Sequence, residues 1–276
     1  MALSMLTNVS SLGAQRNLAK TSNQVAKNVA RLSSGMRINK SADDAAGLAI
    51  SSKMSAHIRG LSQSKRNAND AISLIQTAEG GLNEINSLLT RMRELSVQAA
   101  TGGTLVTSDR SALNQEFQAL ESEINRIVEV TQYNGSALLN GAMSTGVSFQ
   151  VGILNSGNDR ITLSIATATA TALSTGSSSL GTTTAAQKAI TAVDTAISNV
   201  ATRRNTLGSA QNRLQVTISN LGSIHENLSA ANSRIRDVDV AAETADMSRN
   251  QILMQAGVSV LSQANQMPGM VLSLLG

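Results

Sequence analysis

Residues 190–221 read ITAVDTAISNVATRRNTLGSAQNRLQVTISNL. Within this stretch Val193, Val200, Leu207, Leu214 and Leu221 recur at every seventh position, and Leu228 and Ile235 extend the series. Ile190, Ile197 and Ile218 interleave at three-four spacing. A 3.5-residue apolar period keeps one seam of a helix facing a partner helix along its whole length, so a single long helix is predicted over about 184–236. The interleaved polar positions Arg204, Gln211, His225 and Asn232 lower the stability of such a seam while fixing its register.

That helix needs partners of matching length, and the first half of the chain supplies them. Met54, Leu61, Ala68, Ile75, Leu82 and Leu89 form a second heptad series, supported by Ile58 and Ile72. Around Gly80-Gly81 the stripe is expected to drift through Ile85, Leu88, Met92 and Leu95, leaving a continuous but locally softened helix. Ser41 followed by Asp44 marks its start in the manner of a capping box, and Gly102-Gly103 marks its end. A third helix is predicted from Ser108 or Asp109, with Leu113, Phe117, Leu120, Ile124 and Ile127 on one face.

Beyond Tyr133 the period changes to two. Asn134-Gly135 and Asn140-Gly141 are turn dipeptides. Val147, Phe149, Val151 and Ile153 then alternate with polar or small residues, and after a turn at 155–159 so do Ile161, Leu163 and Ile165. The fold class is therefore mainly α: a long antiparallel helical bundle or coiled coil with a small β-hairpin region, about 133–165, at its distal end. Residues 166–186 are almost wholly Ala, Thr, Ser and Gly, a composition unsuited to a core of its own, so 166–183 reads as a low-complexity surface loop. Its hydroxyls are also candidate acceptors for covalent modification.

Composition narrows the function classes. With no Trp, one Tyr and two Phe, the large apolar areas of an aromatic core are missing. The 22 Lys and Arg against 18 Asp and Glu are scattered, and pairs such as Lys65-Arg66 and Arg203-Arg204 lack an aromatic platform for bases, so they read as solvated helix faces and no nucleic-acid partner is expected. Cysteine is absent, which removes disulfides, thiolate metal sites and thiol nucleophiles. The two histidines, His57 and His225, fit no metal or catalytic pattern, and His225 sits in the helical seam. Asp43-Asp44 lacks the spaced ligands of a calcium loop and reads as acid attracted to a helix N-terminus. No catalytic residue, metal or cofactor is expected, and the chain reads as a structural protein rather than an enzyme. The N-terminus, from Met1 to Leu12, has neither the basic start nor the apolar run of a secretory signal, and no stretch reaches the length of a membrane span. On these grounds alone the chain reads as cytoplasmic.

The two ends carry shorter stripes: Leu18, Val25, Val29 and Leu32 near the start, Met247, Met254, Val258 and Leu261 near the end. Short helices are marginal unless packed, so the terminal segments are expected to pair with each other and with copies of themselves. These eight residues are the candidate assembly interface.

Several local motifs resemble one family. The segment from Leu32 to Ser51, LSSGMRINKSADDAAGLAIS, resembles the N-terminal region of bacterial flagellins. So do Arg91–Ala99 (RMRELSVQA), Thr131–Gly135 (TQYNG), Leu207–Arg213 (LGSAQNR) and Met247–Leu253 (MSRNQIL), and Gln255–Leu275 is similar to the flagellin C-terminus almost residue for residue. The resemblance implies that residues 1–40 and 241–276 pair as the inner coiled-coil layer of a filament. Residues 41–165 and 184–240 would form a rod-like layer around it, with 166–183 in place of the outer domains that other members carry.

The implied role is mechanical, a subunit that self-assembles into the helical flagellar filament used for motility. Implied partners are other copies of the chain, an export chaperone, the filament cap and hook-junction proteins. The family also overturns the cytoplasmic reading: flagellins leave through the flagellum's own export channel without a cleaved signal, giving an extracellular location. Many are recognised by a vertebrate innate immune receptor at a surface matching Arg91, Leu95 and Glu116, although Thr90 and Leu120 stand where Gln and Arg are common. One rival role is a hook-filament junction adaptor, which shares the terminal helices. Another is an enzyme-bearing flagellin, against which the lack of His and Glu in 166–186 speaks.

Overall fold

A computed structural model describes residues 7–103 and 105–273. Among them are α1 (Val9–Ser34), α2 (Ala45–Ala99), α3 (Thr107–Val130), α4 (Thr183–Arg236) and α5 (Val240–Ser273). Two antiparallel strand pairs join β1 (Gln132–Tyr133) to β2 (Ser136–Ala137) and β3 (Val147–Gln150) to β4 (Arg160–Leu163). The chain divides into two compact units, one of residues up to 56 and from 227 onward, the other of residues 57–226. Both α2 and α4 contribute to each unit.

Within unit 57–226 the α2 seam is two heptad rows wide. Leu61, Ala68, Ile75, Leu82 and Leu89 are buried, and so are Ala71, Ala78, Ile85, Met92 and Ala99. The expected drift at Gly80-Gly81 does not occur; the period holds to Ala99, and the stripe widens to admit Leu95 because α3 packs on a second face. Gly81 has a packing reason instead. A Cβ there would lie 2.7 Å from Thr131 Oγ1 and 2.9 Å from Leu139 Cδ1, so only glycine lets the segment after α3 lie against the helix.

The α4 series Val193, Val200, Leu207, Leu214 and Leu221 is buried as the period requires. Its second row is not the isoleucines but Ala189, Ala196 and Ala210, with Ile197 and Ile218 half-buried at the flank. Alanine lets helices approach closely, and the branched residues then cover the edge. Arg93 with Asp194 (2.7 Å) and Arg204 with Glu79 (3.5 Å) fix α4 antiparallel to α2, though such exposed pairs add little stability. On α3, Phe117, Ile124 and Val128 are fully buried, and the Asp109 carboxylate accepts the Val106 N–H at its start.

The β region is less extended than alternation suggests. Asn134 and Gly135 both have positive φ (49° and 78°), which closes β1 and β2 into a two-residue hairpin. Val151, Ile153 and Ile165 fall outside β3 and β4, whose register pairs Val147 with Leu163 and Gln150 with Arg160. Ser64 Oγ and Asn67 Nδ2 on α2 donate to the Gly152 and Gln150 carbonyls, which seats this hairpin at the end of the unit opposite the α2–α3 connection.

The surface-loop reading of 166–183 is corrected. Ala168, Ala170, Leu173, Thr175 and Leu180 are fully buried, packed into the same core as α2, α3 and α4. Asn125 Oδ1 accepts the Ala170 N–H and Asn114 Oδ1 accepts the Leu180 N–H, so two α3 amides satisfy a backbone that has no ladder of its own. Other amides close turns within the segment, Leu173 donating to the Thr169 carbonyl and Thr175 to the Ala170 carbonyl, and small side chains let these turns lie close on the helix.

Candidate assembly surface

The second unit holds both terminal helices. Asn8 caps α1, its Oδ1 accepting the Ser11 N–H at 3.0 Å, and Gly35 ends it in the left-handed region at φ 68°. Asp239 serves the start of α5, its carboxylate accepting the Ala241 and Ala242 N–H groups. Asn8 Nδ2 donates to the Ala264 carbonyl at 2.7 Å, Ser11 Oγ lies 2.6 Å from Asn265 Oδ1, and Arg31 meets Glu243 at 3.6 Å. Low residue numbers therefore meet high ones, and α1 and α5 run antiparallel. Gly257 sits over Leu18, where a Cβ would come within 3.3 Å of its Cδ1.

The connections at the ends of these helices are tied together. Val238 N–H donates to the Gly35 carbonyl, and Arg37 donates from its backbone to Arg236 and from its guanidinium to the Ile235 carbonyl. Expected to be opened by Ser41, α2 is instead capped by Asp44, which accepts the Gly47 N–H at 2.8 Å. Asp43 turns the other way, accepting the Asn39 and Lys40 N–H groups and pairing with Lys27 at 3.1 Å. The Lys40 amide first, then Lys27, hold its carboxyl below the usual range.

Six of the eight candidate assembly residues are half-buried: Leu18, Val25, Leu32, Met247, Met254 and Leu261. Each triplet has a seven-residue spacing, as a two-helix seam requires. Val29 and Val258 are exposed, at 49% and 54%. The outward apolar set is larger than periodicity suggested and includes Val9, Leu12, Ile252, Leu253, Val260 and Met267. A signal for the missed α5 members exists in the sequence: from Ile252 to Leu261 apolar residues spread over well more than half of the helix circumference, wider than a single seam with α1 needs. Of the expected inner-layer segments, residues 1–6 and 274–276 lie outside the described residues.

The candidate receptor residues separate. Arg91 donates from Nε and Nη2 to Glu116 Oε1 (3.0 and 2.8 Å) and from Nη1 to Glu94 Oε2 at 3.0 Å. Glu116 first, then Glu94, push its guanidinium pKa higher still. Leu95, by contrast, is 1% exposed and belongs to the core, where a partner cannot reach it. Among the described residues no helix is long and apolar enough to cross a membrane, and no three His, Asp or Glu converge as metal ligands.

Residues 5–144 match the family model described as the bacterial flagellin N-terminal helical region, and residues 190–275 match the bacterial flagellin C-terminal helical region. A flagellin of Halalkalibacterium halodurans is 50% identical over 270 residues, covering 97% of this chain and 98% of that protein. Among solved structures, a Bacillus cereus flagellin crystal structure is similar at 32% identity and a TM-score of 0.50, covering 60% of this chain and 94% of that one. A putative flagellar hook-associated protein from Vibrio parahaemolyticus shares the fold at a TM-score of 0.59 but only 14% identity, covering 71% of this chain and 100% of that one.

Proposed function

This chain belongs to the bacterial flagellin family and is a structural subunit of the flagellar filament, and from that premise we propose that the α1–α5 pair is the surface through which copies join. A match at 50% identity over nearly the whole length of a flagellin sets the junction-adaptor role aside. The observation that carries the proposal is the outward apolar set on α1 and α5. Val9, Leu12, Val29, Ile252, Leu253, Val258 and Val260 are each about half or more exposed, on two helices whose mutual seam is already occupied.

Fully burying an aliphatic side chain of this kind contributes roughly 1.5–3 kcal/mol. Seven such residues per subunit would offset the cost of immobilising a copy in a polymer. The contact must be heterologous, one patch meeting a different patch, since only a repeat that fails to close yields an open helix. Leu18, Val25, Leu32, Met247, Met254 and Leu261 then hold the two helices together, while Val29 and Val258 belong to the joining face.

The same reading assigns residues 1–40 and 241–276 to the filament's inner layer and places the assembled chain outside the cell, exported through the flagellum's own channel. An export chaperone, the filament cap and hook-junction proteins are the expected partners on that route. Recognition by a vertebrate innate immune receptor is assigned to Arg91 and Glu116, with Leu95 supporting the helix beneath them. Removal of residues 255–276 tests the proposal. The truncated chain is expected to keep the helicity of unit 57–226 and to form no filaments under the electron microscope; filaments from it would overturn the reading.

A further inference from the structure

Two of the three large apolar residues that α5 brings to its seam with α1 are methionines. The pairing of Leu18 with Gly257 and the 3.5 Å approach of Asn28 to Asn250 bracket Met254, and the Arg31–Glu243 pair together with Asn250 brackets Met247. With only two helices to cover them, both side chains stay half-buried, whereas Met92 in unit 57–226 is fully buried. We infer that Met247 and Met254 are sites of reversible sulfoxidation that switches the unassembled chain out of the polymerising state.

The chemistry is that of a thioether and a hydroperoxide. A sulfur lone pair attacks one peroxide oxygen, the O–O bond breaks, sulfur is oxidised by two electrons to the sulfoxide, and hydrogen peroxide leaves as water. The product is polar and chiral where the seam requires a flexible apolar group. The rest of the seam is thin: Ser11 and Asn28 are its buried polar members and Ala264 its small buried one. Two sulfoxides one heptad apart remove most of the apolar contact that α5 offers α1. Assembly through the outward faces of α1 and α5 would close over the seam they flank and shield its half-buried sulfurs, so the free chain is sensitive and the polymer protected. Methionine sulfoxide reductases return the thioether and with it the competence to assemble.

This rests on the α1–α5 pair being the assembly surface, and the test separates the two. Purified full-length chain, as monomer and as preformed polymer, is treated with hydrogen peroxide at a dose that leaves Met92 unmodified. Three quantities are then read: peptide masses at Met247 and Met254, amide exchange in α1 and α5, and the critical concentration for polymerisation by sedimentation. In the monomer both methionines should gain one oxygen, exchange in α1 and α5 should rise, and the critical concentration should increase at least about tenfold. The polymer should stay unmodified at both positions. The Met247→Leu, Met254→Leu double variant, compared with its own untreated sample, should show no rise in critical concentration at the same dose, although half-buried Met36, Met54 and Met143 and exposed Met267 remain oxidisable. Sulfur that stays unoxidised, sulfoxides that leave exchange and polymerisation unchanged, or a leucine variant that is equally inhibited would each overturn the inference. Loss of the helix pair with undiminished polymerisation would instead sink the assembly reading.

Discussion

Replacing Leu173 by alanine distinguishes a core segment from a surface loop. Leu173 is fully buried among residues 166–183, a stretch whose composition alone suggests an exposed connection. Truncating a buried leucine costs about 2–5 kcal/mol, the lower part of that range applying where the surroundings can settle into the space. A turn segment lying on α3 without a helix or sheet of its own can settle, so roughly 2–3 kcal/mol is expected. The affected unit spans residues 57–226. For a unit of that size each kcal/mol lowers Tm by about 2–4 °C, which gives a fall of about 4–12 °C. Circular dichroism melting of the monomeric chain measures it, with exposed Ser177→Ala as a control expected to stay within about 2 °C. A Leu173→Ala protein that melts with the control would refute the buried placement.

Other consequences are simpler to state. The Asp43 carboxyl is held below its ordinary pKa in the folded chain, so its contribution is complete above the unfolded value near 4 and is lost as pH falls through the folded value. Parent and Asp43→Asn should therefore differ in urea midpoint at neutral pH, and the difference should shrink as pH falls below about 4; a difference independent of pH would contradict this. For Glu121, half-buried with no counter-ion among the described residues, burial raises the pKa, and the penalty sets in as pH rises past the unfolded value and is complete above the folded one. Glu121→Gln should accordingly be more stable than the parent at pH 8 and equal to it near pH 4, as chemical denaturation at the two values would show. Arg91→Ala removes both carboxylate contacts on the exposed face and should weaken signalling in receptor-reporter cells, whereas an unchanged response would reject that site.

The long elements were legible because their period is redundant. Five buried residues from Val193 to Leu221 repeat the same spacing, and no local irregularity can mask so many agreements. What periodicity could not show is which residues flank that row on α4. Alanine carries a weak hydropathy signal yet fills the buried flanking positions 189, 196 and 210, while the larger Ile197 and Ile218 stay half-buried. The same blindness hid residues 166–183, whose buried members Ala168, Ala170 and Thr175 look like loop residues. Only Leu173 and Leu180, seven apart, mark that segment as anchored.

The assembly surface was half legible for a related reason. A heptad finds the seam that closes inside one chain, so Leu18, Val25, Met247 and Met254 stood out while outward Ile252, Leu253 and Val260 did not. Leu95 shows the converse. A motif resemblance put it on a recognition surface, but its place on the same helical face as Met92 and Ala99 puts it in the core.

The central claim is that copies join through the outward apolar face of α1 and α5. Ile252 and Val258 are exposed in the single chain, at 66% and 54%, so Ile252→Glu with Val258→Glu should leave its fold and melting temperature unchanged. Electron microscopy and sedimentation of this doubly substituted chain under polymerising conditions are the most direct test. Monomers of parental helicity with no filaments are expected, and filaments at the parental critical concentration would contradict the account.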